Sequence, residues 1–225
     1  FVEVFANDDD GVEWFGGNVD TKNMVVSHCS DDSYDMDEGF SGKGQFWVAV
    51  TDEDSDNFGE HDGGPSSNRY GVPFATPVQS NVTFIGPGTA EGKRTLTLRQ
   101  FWGGEYHNSI FAEQGKGIRV DYVPEYEDGN LGGSFTLWND GVLKLTNNIF
   151  QNVADGTAAN IFTVYSDEKV DDGQGNEVPK YDVPADSATI FADYFATANN
   201  SVNNALGVSV SNPVPANSAD VSDPD

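Results

Sequence analysis

Short apolar runs separated by Gly, Asn and Asp turns fill the first 185 residues, and this rhythm predicts strands rather than helices. Candidate strands cover 2–6, 23–28, 45–51, 81–85, 94–101, 109–112, 117–123, 134–138, 142–146, 148–153 and 160–165. An offset of 22 places Val2 over Met24 and Val4 over Val26. The same offset sets the acidic stretch Asp9-Asp10-Gly11-Val12-Glu13 on Asp31-Asp32-Ser33-Tyr34-Asp35, and Gly17 on Gly39. A second step of 22 brings Phe46 and Val48 to the strand, and Glu53 and Asp54 to the acidic pair. Repeats of this length point to a solenoid, in which each coil covers the apolar face of its neighbour.

Two later phrases carry the same logic. In Asn108-Ser109-Ile110-Phe111 and Asn147-Asn148-Ile149-Phe150, Asn precedes an Ile-Phe strand. Asn tolerates a left-handed corner, and its amide can bond the Asn one coil above. The stretches 52–80 and 167–184 break the rhythm and read as loop insertions in a solenoid domain over 1–185. From Asp186, the residues Ile190, Tyr194, Ala198, Val202 and Leu206 repeat every four positions, and Gly207 is a natural stop. A helix here, within a cap covering 186–211, would shield an open end of the stack. Residues 212–225, with Pro213, Pro215 and Pro224, read as a linker or extended tail.

Composition sharpens this picture. The 225 residues suit one sizeable core, and no apolar run is long enough to span a bilayer. The net charge is −26, which disfavours nucleic acid and anionic membranes as partners. Residues 1–62 hold 17 of the acids against only Lys22 and Lys43. Fifteen Phe, eight Tyr and four Trp speak against disorder. The single Cys29 aligns with Asn7 at a strand end and reads as a small packed residue. No signal peptide is visible at Phe1. The expectation is a mature product or a piece of a longer chain, with self-association or neighbouring domains at the exposed first coil.

The acids pose a physical question. Stacked coils lie about 4.8 Å apart, and two carboxylates at that spacing repel by roughly 1 kcal/mol in water and several times more when partly buried. They either splay into solvent as an acidic coat or share a cation. Hard oxygen ligands without His or Cys select Ca²⁺ over Zn²⁺. The candidate calcium ligands are Asp9, Asp10, Glu13, Asp31, Asp32, Asp35 and Asp37, joined by Asp52 and Asp54. No EF-hand loop and no Gly-Gly-x-Gly-x-Asp nonapeptide is present, so such a site would be irregular.

The two acidic stretches, Gly44-Gln45-Phe46, Tyr106-His107-Asn108-Ser109-Ile110-Phe111 and Gly117-Ile118-Arg119-Val120-Asp121 resemble a group of secreted or surface-attached bacterial proteins. These are pectate-lyase-like solenoids, mostly uncharacterised in function. The resemblance covers about two-thirds of the chain. It implies an all-β, right-handed parallel β-helix outside the cell, to which the periodicity after Asp186 adds a short C-terminal capping helix. It does not extend to pectin hydrolases beyond Asp-Asp, because the Asn-Thr-Asp, Gly-His-Gly and Arg-Ile-Lys segments are missing. A pectate-type lyase would use Ca²⁺ and a Lys or Arg base, for which Lys43, Arg99 and Arg119 are the candidates. Arg99 and Arg119 read more readily as structural partners for the acids, His61 as a solvated loop residue and His107 as packing. Trp14, Trp47, Trp102 and Tyr106 are candidate glycan-stacking residues, against the preferred reading that most of these aromatics fill the core or cover its ends. Trp14 and Phe15 are adjacent on a strand, so one faces in and one out. The leading reading is a calcium-stabilised structural or adhesive module at a bacterial surface. The alternative is a module that binds or cleaves an extracellular polysaccharide.

Overall fold

A computed structural model describes residues 1–125 and 129–202. Each of the first five coils contributes one strand to each of three parallel sheets, and the last contributes none to the third. The first coil holds β1 (Val2–Phe5), β2 (Val12–Phe15) and β3 (Thr21–Lys22); the second holds β4 (Met24–Ser27), β5 (Tyr34–Asp37) and β6 (Lys43–Gln45). The third holds β7 (Val48–Val50), β8 (Gly59–Asp62) and β9 (Val78–Ser80), and the fourth β10 (Thr83–Gly88), β11 (Arg94–Arg99) and β12 (Glu105–His107). The fifth contains β13 (Ile110–Gln114), β14 (Lys116–Asp121), the helix α1 (Ser134–Asn139) and β15 (Lys144–Thr146). In the last come β16 (Ile149–Val153), α2 (Ala158–Ile161), β17 (Phe162–Tyr165), the antiparallel hairpin β18 (Lys169–Asp171) and β19 (Glu177–Pro179), α3 (Ser187–Thr197) and β20 (Ser201–Val202). Sheet 1 runs β1-β4-β7-β10-β13-β16-β20, sheet 2 from β2 to β17, and sheet 3 from β3 to β15. The architecture is the expected parallel β-helix.

The first register matches the sequence pattern: Val2 pairs with Met24, Val4 with Val26 and Glu13 with Asp35. The second step does not keep 22 residues. Val25 pairs with Val48, and the N–H of Asp56 donates to the carbonyl of Asp31. Asp56 therefore occupies the position expected for Glu53. Later coils grow through inserted loops, with Val48 on Thr83, Thr83 on Ile110, Ile110 on Ile149 and Ile149 on Ser201.

Aromatic rings stack along the core from coil to coil. Trp14 lies 5.2 Å from Trp47, Trp47 4.7 Å from Tyr34, and Tyr34 5.4 Å from Phe84. The column continues through Phe84, Phe111 and Phe150. Cys29 is packed inside. At the corner after sheet 3, Asn23, Phe46, Asn81, Asn108, Asn147 and Asn199 all have φ between 52° and 58°. Asn relieves the left-handed strain, and Asn199 Nδ2 donates to Asn147 Oδ1 at 2.8 Å.

The stretch 134–138, expected as a strand, is helix α1. Its Phe135, Leu137 and Trp138 are buried beside β14 and β17, and a five-residue run is too short to separate the two periodicities. The loop insertion at 52–80 contains two short strands, β8 and β9, and the insertion at 167–184 contains the hairpin. The helix expected from Asp186 is α3, which buries Phe191 and Phe195 against Phe162. Its expected continuation to Leu206 and Gly207, the cap's end at 211 and the tail 212–225 lie outside the described residues. At the opposite end the first coil leaves Phe1, Val2, Phe5 and Val19 exposed. Among the described residues no helix is long and apolar enough to cross a membrane.

Candidate functional site

The turn between sheets 1 and 2 explains why these coils are rich in acids. Asp10 Oδ1 accepts the N–H of Asp32 at 3.0 Å. One coil on, Asp32 Oδ1 accepts the N–H of Asn57 at 2.8 Å. Asn57 Oδ1 in turn accepts the N–H of Arg94 at 3.2 Å. Each side chain caps an otherwise unpaired backbone donor at the same corner of the next coil.

The strands of sheet 2 carry the acids onward. Strand alternation points Trp14, Met36 and His61 inward and Glu13, Asp35 and Glu60 outward. A second outward row holds Phe15, Asp37 and Asp62. Ligand-type oxygens of Asp10, Glu13 and Asp35 lie within 4.8 Å of one another. The same holds for Asp9, Asp10 and Asp31, and for Asp31, Asp32 and Asp56. Asp10 and Asp31 join these three groups into one patch that spans three coils.

Electrostatics mark the centre of this patch. Burial pushes the Asp35 carboxyl up to about 9, with the charges of Asp10, Asp32, Asp62 and Glu60 adding to the effect. Burial lifts Asp32 to about 8, helped by Glu60 and opposed by the Asn57 N–H. Asp10 rises to about 6, again mainly through burial. Asp35 Oδ1 is withdrawn from water and has no hydrogen-bond donor. An acid in that position takes a proton or a cation. Carboxylate oxygens alone, with no nitrogen or sulfur ligand, fit a hard cation such as Ca²⁺.

The remaining candidates fall elsewhere. Asp37 lies on β5 beside the patch, and its Oδ1 accepts the N–H of Glu38 at 2.6 Å. Asp52 and Asp54 do not join the ladder. Asp52 Oδ1 accepts the N–H of Asp54 at 3.1 Å in a local turn, because the third coil is longer than the 22-residue step assumes. Asp56, Glu60 and Asp62 take the ladder positions instead. Their signal was present in Gly59-Glu60-His61-Asp62, which repeats the alternation of Tyr34-Asp35-Met36-Asp37.

The four glycan-stacking candidates do not form an exposed platform. Trp14, Trp47, Trp102 and Tyr106 are all buried. Strand alternation turns Trp14 and Tyr106 inward, Trp47 and Trp102 pack into the core from the segments between strands, and Phe15 beside Trp14 is 70% exposed. His61 is not a solvated loop residue. It is fully buried on β8, 2.8 Å from the Tyr106 hydroxyl and stacked on Trp102. His107, expected in packing, lies on the outer face of sheet 3 between Glu105 and Thr146.

Beyond the third coil the outer face of sheet 2 turns basic. Arg99 grips Asp62 through two nitrogens, with Nη2–Oδ2 at 3.1 Å, and also pairs with Glu60. Those charges raise its guanidinium above the ordinary value against the opposing effect of burial, which is the larger single cause, so it stays protonated. Arg119 Nε donates to Thr97 Oγ1 at 3.1 Å, and its guanidinium lies 4.6 Å from the centre of the Tyr165 ring. Lys43 lies on sheet 3, away from this face.

A family model for a pectate-lyase like beta helix domain matches residues 1–185. No curated protein and no solved structure matches the chain significantly.

Proposed function

Because the chain belongs to the pectate-lyase-like β-helix family, we propose that it is an extracellular β-helical module whose acidic face binds calcium, and that it serves as a structural or adhesive element at a bacterial surface. The observation that carries this reading is the joined patch centred on Asp10, Glu13 and Asp35, where an unbonded carboxylate oxygen is withdrawn from water. Calcium there would hold three successive coils together and remove the repulsion that each acid imposes on the next. The exposed apolar residues of the first coil support contact with a neighbouring domain or a second copy. Thermal melting in Ca²⁺ and in EGTA tests the proposal. A ligand at 100 times its dissociation constant stabilises the native state by about 2.7 kcal/mol, which a melt resolves readily. Identical melts in the two solutions would sink it.

A second reading, binding or cleavage of a polysaccharide, is favoured by Arg99, Arg119 and Tyr165 lying on the same sheet as the acids. Arg99 is held by two carboxylates, which leaves Arg119 as the base candidate. A calcium-dependent rise in unsaturated product from polygalacturonate, lost in Arg119→Ala, would support cleavage. Absence of product with intact calcium binding would remove it.

A further inference from the structure

A second site lies on a different face. Sheet 3 of the first three coils forms a groove of about 370 Å³, lined by Thr21, Lys22, Lys43, Gln45 and Ser80. Lys22 and Lys43 are the only basic residues among the first 62, and both come to this groove. Among the described residues neither ammonium group makes an ion pair, in a chain where 37 acids face 11 bases. The one acid in the lining, Asp20, uses its Oδ1 to accept the N–H of Lys43 at 2.8 Å.

An independent observation concerns Phe46, the next residue after Gln45. At this corner five of the six coils place Asn in the left-handed region, and the second coil places Phe46 there with φ 56°. A bulky residue in that conformation is strained, and this one is also 44% exposed. Strain combined with exposure of an aromatic ring contributes nothing to the core, and such outliers gather at binding sites. The Lys22 ammonium lies 5.1 Å from the ring centre, which joins the strained residue to the groove.

We propose that this groove binds an anionic saccharide, with Lys22 and Lys43 holding its carboxylate or sulfate groups. Phe46 offers an apolar surface to a sugar ring, and Gln45 and Ser80 bond its hydroxyls. The site contacts its ligand directly and needs no calcium, so it stands apart from the reading of sheet 2.

Affinity electrophoresis in EGTA tests it, with dextran sulfate, polygalacturonate, uncharged dextran and polyglutamate as the immobilised probes. The expected result is retardation by at least one of the two acidic polysaccharides, tenfold stronger than by dextran or polyglutamate. Which of the two acts distinguishes sulfate from carboxylate. K22Q/K43Q should lose at least tenfold in affinity and F46N several-fold. Both variants should keep the calcium-dependent melting shift of the parent, or lack it if the parent lacks it, which separates loss of binding from loss of fold. No retardation by either acidic polysaccharide, equal retardation by polyglutamate, or unchanged affinity in K22Q/K43Q would overturn the proposal.

Discussion

Asp35 and Asp121 both lie on sheet 2, one in the second coil and one in the fifth, and both are withdrawn from water. Asp121 is the more deeply buried, yet its carboxyl rises only to about 7, while that of Asp35 rises to about 9. The difference lies in their partners. Asp121 accepts the N–H of Ser134 at 2.6 Å and of Gln100 at 2.8 Å. The charged neighbours of Asp35 that act on it are other acids, and its Oδ1 has no donor. Asp62 in the third coil marks the boundary between the two halves, because it shares Arg99 with Glu60. The fold therefore compensates Asp121 and Asp62 with backbone donors and arginine in one half of sheet 2, and leaves Asp35 in the other half among acids with one oxygen unbonded.

Removing a compensated acid should have the largest effect. Asp121→Ala leaves two buried N–H groups without an acceptor, each costing about 1–3 kcal/mol. Urea denaturation should show a midpoint drop equivalent to about 3 kcal/mol, with or without calcium. Arg99→Gln converts the boundary into more of the acidic half. Breaking a partly buried pair from one side should destabilise by about 3 kcal/mol in EGTA, and added calcium should recover part of that loss. Asp35→Asn should act with the opposite sign. It removes a buried carboxyl that folding must protonate or leave unbalanced, so it should stabilise the protein in EGTA by roughly 1–3 kcal/mol, while most of the calcium-dependent melting shift disappears. Equal loss of stability for Asp35→Asn and Asp121→Ala would erase the distinction between the halves.

The pH profile gives a subtler contrast. Asp32 and Asp35 keep their protons in the folded state up to about 8 and 9, whereas their ordinary value is 3.8. Folding thus binds protons across this interval, and stability falls as pH rises through it. Buried His61 acts at the other end. Burial lowers it to about 4, so its contribution is lost as pH falls from 6.5 towards 4. Between pH 6.5 and 9 the acids act alone. The melting temperature in EGTA should decline over that range, and calcium, which favours the ionised carboxylates, should flatten the decline. A flat profile in EGTA would contradict the shifts in the acidic half.

The smallest expected effect lies at the corner of sheet 3. Phe46→Asn restores the residue that the other coils use there, and it should stabilise by about 1 kcal/mol, the scale of left-handed strain.

The parts of this fold that the sequence revealed are those with short-range spacing. Through sheets 1 and 2 of the first two coils the inserted length is zero, so Val2 over Met24 and Glu13 over Asp35 are readable as one offset. One residue is added before β6 and two more around Asp52–Asp54, so Met36 pairs with His61 and the same offset misplaces the column. The alternation in Gly59-Glu60-His61-Asp62 was hidden because a histidine occupies the core position that Trp14 and Met36 fill in the earlier coils. Its ring becomes acceptable there only through the Tyr106 hydroxyl and Trp102, which arrive from more than 40 residues away. The Trp side chains left stacking open beside the preferred core reading because composition does not say which way a ring faces. Phe46 was readable as a strand residue, but its strain appears only once the six corners are superposed.

Calorimetric titration of the protein with Ca²⁺ at pH 7, repeated in two buffers of different ionisation enthalpy, addresses the acidic half most directly. Carboxyls that hold protons at this pH must release them to bind a metal ion. The expected result is saturable calcium binding with a buffer-dependent enthalpy that reports net proton release, and loss of both in Asp10→Asn/Asp35→Asn. Absence of binding heat at millimolar calcium, or binding that the double variant retains in full, would contradict it.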